Sequence, residues 1–140
     1  MKIDKFFNEH AFLSNFYDSR VFYDGVSYPT VEHAYQAAKT LNPVERSKIR
    51  MAKTAGEAKK LGRGVTLRKD WENAKVRVML DLLREKFSDP GLRHQLLDTG
   101  DVELVEGNSW GDKFWGVDSK TGKGKNMLGK LLMQVRMEMS

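Results

Sequence analysis

Cysteine is absent from the chain, and proline occurs only three times in 140 residues. Without cysteine there is no disulfide, no thiolate nucleophile and no cysteine-based zinc site. The absence fits a reducing compartment. No apolar run approaches the roughly 18 residues needed to cross a bilayer. The stretch MKIDKFFNEHAF mixes charges with aromatics and lacks the continuous apolar core of a secretion signal. These absences lead to the expectation of a soluble, cytoplasmic protein with no membrane partner. Histidine is scarce too. His10, His33 and His94 form no metal-ligand pair at helical spacing, and no acidic loop resembles a calcium site, so neither metal nor cofactor is expected. GVDSKTGKG has a superficial likeness to a phosphate-binding P-loop. Its first glycine stands one residue too far from Gly122-Lys123, and Gly124 replaces the required Ser or Thr, so the likeness is discarded.

What is present suits one domain over residues 1–140. A chain of this size buries roughly 68% of its unfolded surface. With 40% hydrophobic residues it can fill a core without covalent staples. The net charge of +5 is concentrated between Pro43 and Val78, where 11 Lys or Arg stand against 4 Asp or Glu. Such a stretch reads either as solvated helix faces or as attraction for a phosphorylated ligand or nucleic acid.

The first 28 residues alternate aromatics with turn residues, and Asp24-Gly25 between two β-prone runs predicts a hairpin turn. Thr30 is placed to cap a helix in YPTVEHAYQAAK, with Val31, Ala34, Ala38 and Leu41 on its apolar side. Asn42-Pro43-Val44-Glu45 and Thr54-Ala55-Gly56-Glu57 are capping-box patterns, and Gly62 reads as a stop. Asp70 is placed to cap a longer helix through Phe87, and Asp89-Pro90 opens a short one ending before Gly100. VELVE, residues 102 to 106, is the clearest interior strand. A glycine-rich loop then leads to a last helix with a stripe of Leu128, Leu131, Leu132 and Val135. Short strands scattered among helices, without regular alternation, predict a compact α+β fold dominated by helix.

Three groups of residues have chemical potential. Glu32, Gln36 and Lys39 share one side of the first long helix. A carboxylate and an amine on one face can perform acid–base work, and a desolvated lysine can attack an aldehyde-like carbon. Periodicity alone favours the plainer reading, an exposed helix side with weak charge pairing. In RKDWENAK, Trp71 follows a helix cap, where its ring does not easily reach the apolar stripe. Beside Arg68 and Lys69 it suits either a nucleobase and its phosphate or simple packing over the helix entry. The third group is NSWGDKFWGVDSKTGKGKNMLG, rich in aromatics, acid and glycine, as loops held in place for ligands are. Within it Asn126 reads as a helix cap and Gly129 as a site of close packing.

Together, FLSNFY, YPTVEHAYQAAK, LGR, LRKDW and GDKFWG…GKGKNMLGKLLMQVR resemble the YbiA-like family, also called NADAR (NAD- and ADP-ribose-associated). The pieces run in the family's order from Phe6 to Arg136. The resemblance implies the YbiA-like fold and a metal-independent N-glycosidase without cofactor. Its substrate would carry a phosphorylated or ADP-linked ribose on the nitrogen of a base or amine. Ribosylamino-pyrimidine phosphates of riboflavin synthesis and ADP-ribosylated guanine, in nucleic acid or not, are the two candidates. By motif, Glu32, Lys39, Trp71 and Asp112 match catalytic positions. Asn15, Gln36, Arg63, Arg68, Trp115 and Asn126 would bind substrate. The competing reading is a non-catalytic module that binds ADP-ribose or nucleic acid.

Overall fold

Local capping chemistry sets most of the helix starts. The structure, a computed structural model, describes all 140 residues. It contains six α-helices, one 3-10 helix and six strands of two or three residues, so the α+β, mainly helical expectation holds. The chain falls into two compact units, one of residues Asn15–Lys86 and one of Met1–Ser14 with Phe87–Ser140.

The Asn15–Lys86 unit begins with an antiparallel hairpin of β1 (Val21–Tyr23) and β2 (Val26–Tyr28). Asp24 and Gly25 both have positive φ, 49° and 77°, the conformation that tight hairpin turns require. Four helices follow: α1 (Val31–Ala38), α2 (Pro43–Arg50), α3 (Ala55–Gly62) and α4 (Trp71–Lys86). Thr30 Oγ1 accepts from the His33 N–H at 3.1 Å, and the Asn42 carboxamide oxygen accepts from Val44 and Glu45. Thr54 likewise accepts from Glu57. The two acids of the capping boxes, however, do not reach back to the cap residue. Glu57 accepts from the Lys53 N–H, and Glu45 accepts from the Thr40 hydroxyl and from Thr66, tying two loops to α2.

Helix α1 packs against α2, α3 and α4, and all eight of its residues are buried. The expected division into an apolar and an exposed polar side therefore fails here. The helix also stops at Ala38, so Leu41 leaves the apolar side and is 66% exposed. His33 Nε2 donates to the Ala52 carbonyl, and Nδ1 accepts from the Thr30 hydroxyl, which satisfies a buried imidazole completely. In α4 the buried side is Trp71, Val78, Met79, Leu82, Leu83 and Lys86.

In the second unit, β3 (Lys2–Ile3) pairs in parallel with β4 (Glu103–Leu104), and β5 (Gly107–Asn108) pairs in parallel with β6 (Val117–Asp118). The VELVE strand is thus reduced to Glu103–Leu104, because Val105 and Glu106 turn toward the next pairing. A 3-10 helix (Asn8–Leu13) packs on α5 (Pro90–Asp98), whose Asp89 cap accepts from Leu92. The last helix, α6 (Met127–Met139), buries Leu128, Leu131, Leu132 and Val135 as expected. Its start differs from the expectation. Asn126 has φ 52° and its side chain caps nothing. Instead its Oδ1 accepts from the Glu106 N–H, and its Nδ2 donates to the Leu104 carbonyl, both at 2.9 Å. Gly129 lies so close to β4 that a Cβ would overlap the Leu104 carbonyl, which accounts for the glycine.

Candidate active site

Helix α1 and the residues that follow it gather the candidate residues of the Asn15–Lys86 unit. Glu32 is 7% exposed and Gln36, one turn later, 3%. Gln36 Nε2 donates to Glu32 Oε2 at 2.6 Å, a short bond of the kind formed to an ionised acceptor. Glu32 is anchored through its backbone as well, since its N–H donates to the Asn15 carbonyl. The Asn15 amide nitrogen contacts Met79 Sδ, leaving Asn15 Oδ1 a buried acceptor with no donor. Gln36 Oε1 is in the same condition.

Lys39 is the C-cap of α1 rather than a residue of its interior. Its Nζ lies 5.6 Å from the centre of the Tyr35 ring, and that ring lies 5.2 Å from the ring of Trp71 at 57°. Burial pulls the Lys39 ammonium below the ordinary lysine range. The Glu32 carboxylate opposes this, and the positive charges of Lys59, Arg63 and Lys75 reinforce it. Trp71 is 5% exposed, so its ring does reach the core, against the reading from its position after the cap. Tyr35 was not among the expected site residues. Its signal is its i, i+4 spacing from Lys39 and its place between an amine and an indole.

Arg68 donates from its backbone N–H to the Lys39 carbonyl at 2.7 Å, joining the α4 entry to the end of α1. Its guanidinium forms a bidentate pair with Asp70, at 2.6 and 3.1 Å, and reaches the Tyr23 hydroxyl and Ala38 carbonyl more loosely. The Asp70 carboxylate holds Arg68 firmly charged, and Arg68 in turn keeps Asp70 below the usual carboxylate range. Arg63 is the exposed C-cap of α3.

In the other unit, Asp112, Trp115 and Asn126 belong to a loop built by side chain to backbone bonds. Asp112 Oδ1 accepts from the N–H groups of Phe114 and Trp115, at 3.1 and 2.9 Å. Asn108 brackets the same turn by donating to the Asp112 carbonyl and accepting from its N–H. The Phe114 and Trp115 rings meet edge to face, with centres 4.9 Å apart. Asn126 is committed to β4 and its exit, as described. No three side chains of His, Asp or Glu converge in a way that would hold a metal ion, and no helix is long and apolar enough to cross a membrane.

Comparison with known proteins places these motifs. The NADAR domain matches residues 4–140. The chain is 43% identical over 133 residues to riboflavin biosynthesis protein VVA0006 of Vibrio vulnificus (strain YJ016), covering 93% of this chain and 36% of that protein. It therefore spans about a third of that relative's length. It is 40% identical over 136 residues to N-glycosidase YbiA of Escherichia coli (strain K12), covering 95% of this chain and 84% of that one. The NMR structure of the E. coli protein YbiA superposes with a TM-score of 0.83 at 38% identity, over 99% of this chain and 86% of that one. By sequence along almost its whole length and by fold, the chain belongs to the NADAR family.

Proposed function

We propose that the chain is an N-glycosidase that acts on a ribosyl substrate, with Glu32 and Lys39 as its central catalytic pair. The observation that carries this reading is the buried neighbourhood of α1. A carboxylate hydrogen-bonded by Gln36 shares it with an amine whose ammonium form is disfavoured by burial and by three cations, against the opposing pull of Glu32 itself. Cleaving an N-glycosidic bond builds positive charge on the sugar ring, which the Glu32 carboxylate would stabilise. The deprotonated Lys39 Nζ attacks the anomeric carbon with its lone pair. The bond from that carbon to the base nitrogen breaks, and the leaving nitrogen takes the proton that the newly alkylated Lys39 nitrogen gives up. Ring opening then gives an iminium on Lys39, and water adds to its carbon. Loss of the amine releases the sugar and restores Lys39.

Trp71 and Tyr35 form the aromatic wall beside the amine, and Arg63 and Arg68 provide cations for a phosphate. By resemblance, Asp112 is the second carboxylate of the reaction, and Trp115, Asn126, Asn15 and Gln36 bind substrate. Of the two substrates that the resemblance implies, the phosphorylated ribosylamino-pyrimidine is the one that fits a relative named for riboflavin biosynthesis. Incubation with such a compound and, separately, with ADP-ribosylated guanosine tests this by mass spectrometry of the released base and sugar. Release from the first alone supports the reading; release from neither leaves a binding module. The reaction is proposed to be metal-independent, and turnover in excess EDTA is expected to match the untreated rate. Loss of turnover that a divalent ion restores would contradict this.

A further inference from the structure

The LGR motif contains a glycine that the catalytic reading leaves without a role. Gly62 ends α3, is buried, and has no positive φ, so no backbone requirement excludes a side chain there. Alanine would be the better helix former. The explanation lies on α1. A Cβ at Gly62 would overlap Gln36 Oε1 and Cδ and press on Gln36 Cβ. The deepest overlaps are with the amide end of the Gln36 side chain, so a side chain at residue 62 would push that amide out of its place, while the contact with Gln36 Cβ is tight rather than overlapping.

The Gln36 carboxamide has one strong polar bond, from Nε2 to Glu32 Oε2, while its buried Oε1 has no donor. An amide held by a single hydrogen bond at one end has little to stop it turning. The surface of α3 at Gly62 closes off the other end. We propose that Gly62 is a positioning residue: it leaves the one space in which the Gln36 amide stays aimed at Glu32, and through Gln36 it fixes the carboxylate. This rests on the reading of Glu32 as catalytic.

A double-variant cycle tests it, with Gly62→Ala, Gln36→Ala and the pair, reading kcat, KM, the pH profile of kcat and the melting temperature. Gly62→Ala is expected to lower kcat about tenfold to a hundredfold with little change in KM, as a displaced catalytic group does. Its acid limb should move to higher pH, because the carboxylate loses the hydrogen bond from Gln36 Nε2. In the Gln36→Ala background, where the amide is gone, adding Gly62→Ala should change neither further. Should Gly62→Ala alone fail to fold, the comparison of Gln36→Ala with the pair decides. Equal kcat supports the proposal, and a further loss overturns it. An unchanged acid limb in a folded Gly62→Ala would also overturn it. Turnover retained in Glu32→Gln would instead defeat the catalytic reading. The coupling itself remains readable then as a shift of the Gln36 side-chain amide resonance in Gly62→Ala.

Discussion

The two units use their polar side chains in opposite ways. Around α1, Gln36 bonds Glu32, and Tyr35 stands between Lys39 and Trp71, so much of what these side chains hold in place is other side chains. In the loop from Gly107 to Asn126, Asn108, Asp112 and Asn126 spend their side chains mainly on backbone N–H and carbonyl groups. The first arrangement tunes chemical groups; the second builds a loop. Substitutions in the first should disturb reactivity through neighbouring side chains, while substitutions in the second should disturb the backbone.

Trp71 gives the largest expected effect and the hardest test of that contrast. A buried indole truncated to alanine typically costs about 3–5 kcal/mol. Trp71→Ala should therefore lower the melting temperature strongly and also release Tyr35 beside Lys39. Chemical denaturation checks the first effect. A loss below about 1 kcal/mol would return the ring to the substrate side, as its position after the helix cap first suggested.

Asn126 comes next. Asn126→Ala strips partners from the Glu106 N–H and the Leu104 carbonyl, for about 2–3 kcal/mol. Asp112→Asn sharpens the comparison, because an Asn Oδ1 can still accept from Phe114 and Trp115. It should preserve stability within about 0.5 kcal/mol while lowering turnover, if the charge at residue 112 is what the reaction uses. Loss of both together would make Asp112 a loop builder only.

A different kind of effect, set by pH, concerns Lys86, a buried lysine at the end of α4 that is 1% exposed. Its Nζ lies 5.6 Å from the centre of the Tyr17 ring. Burial pushes its pKa down to about 7, against 10.5 in the unfolded chain. Between those values the unfolded state binds more protons than the native one, so stability should rise with pH from about 7 to about 10.5. The slope contributed by one group is at most about 1.4 kcal/mol per pH unit. Below about 7 both states are protonated and the slope vanishes. Urea titrations across that range in Lys86→Met should lose this component; an identical slope in the variant would place the titration elsewhere.

How much of this was legible in the sequence follows from the range of the interactions. The caps of Thr30, Asn42, Thr54 and Asp89 and the turn at Asp24-Gly25 are bonds between residues within three positions, and each was readable. Asn126 looked like another cap because its partners, Leu104 and Glu106, lie about twenty residues away. The capping-box pattern points Glu45 at its own helix start, yet its partner Thr66 is 21 positions on. The polar side of α1 looked exposed because periodicity registers one covered face, whereas α2, α3 and α4 cover the helix all round. Gly62 does end α3, as a stop should, but its second role is not legible locally, because the side chain that demands a glycine there belongs to another helix.

The proposed reaction depends most on Lys39 acting as a nucleophile made available by its surroundings. Sodium borohydride added during turnover of a ribosylamino-pyrimidine phosphate should reduce the iminium to a stable secondary amine. Peptide mass spectrometry should then find the sugar on Lys39, and Lys39→Arg, which keeps the charge, should lose both adduct and turnover. No adduct on the wild-type chain, together with near-normal turnover in Lys39→Arg, would contradict the account and leave Lys39 an anchor for the substrate.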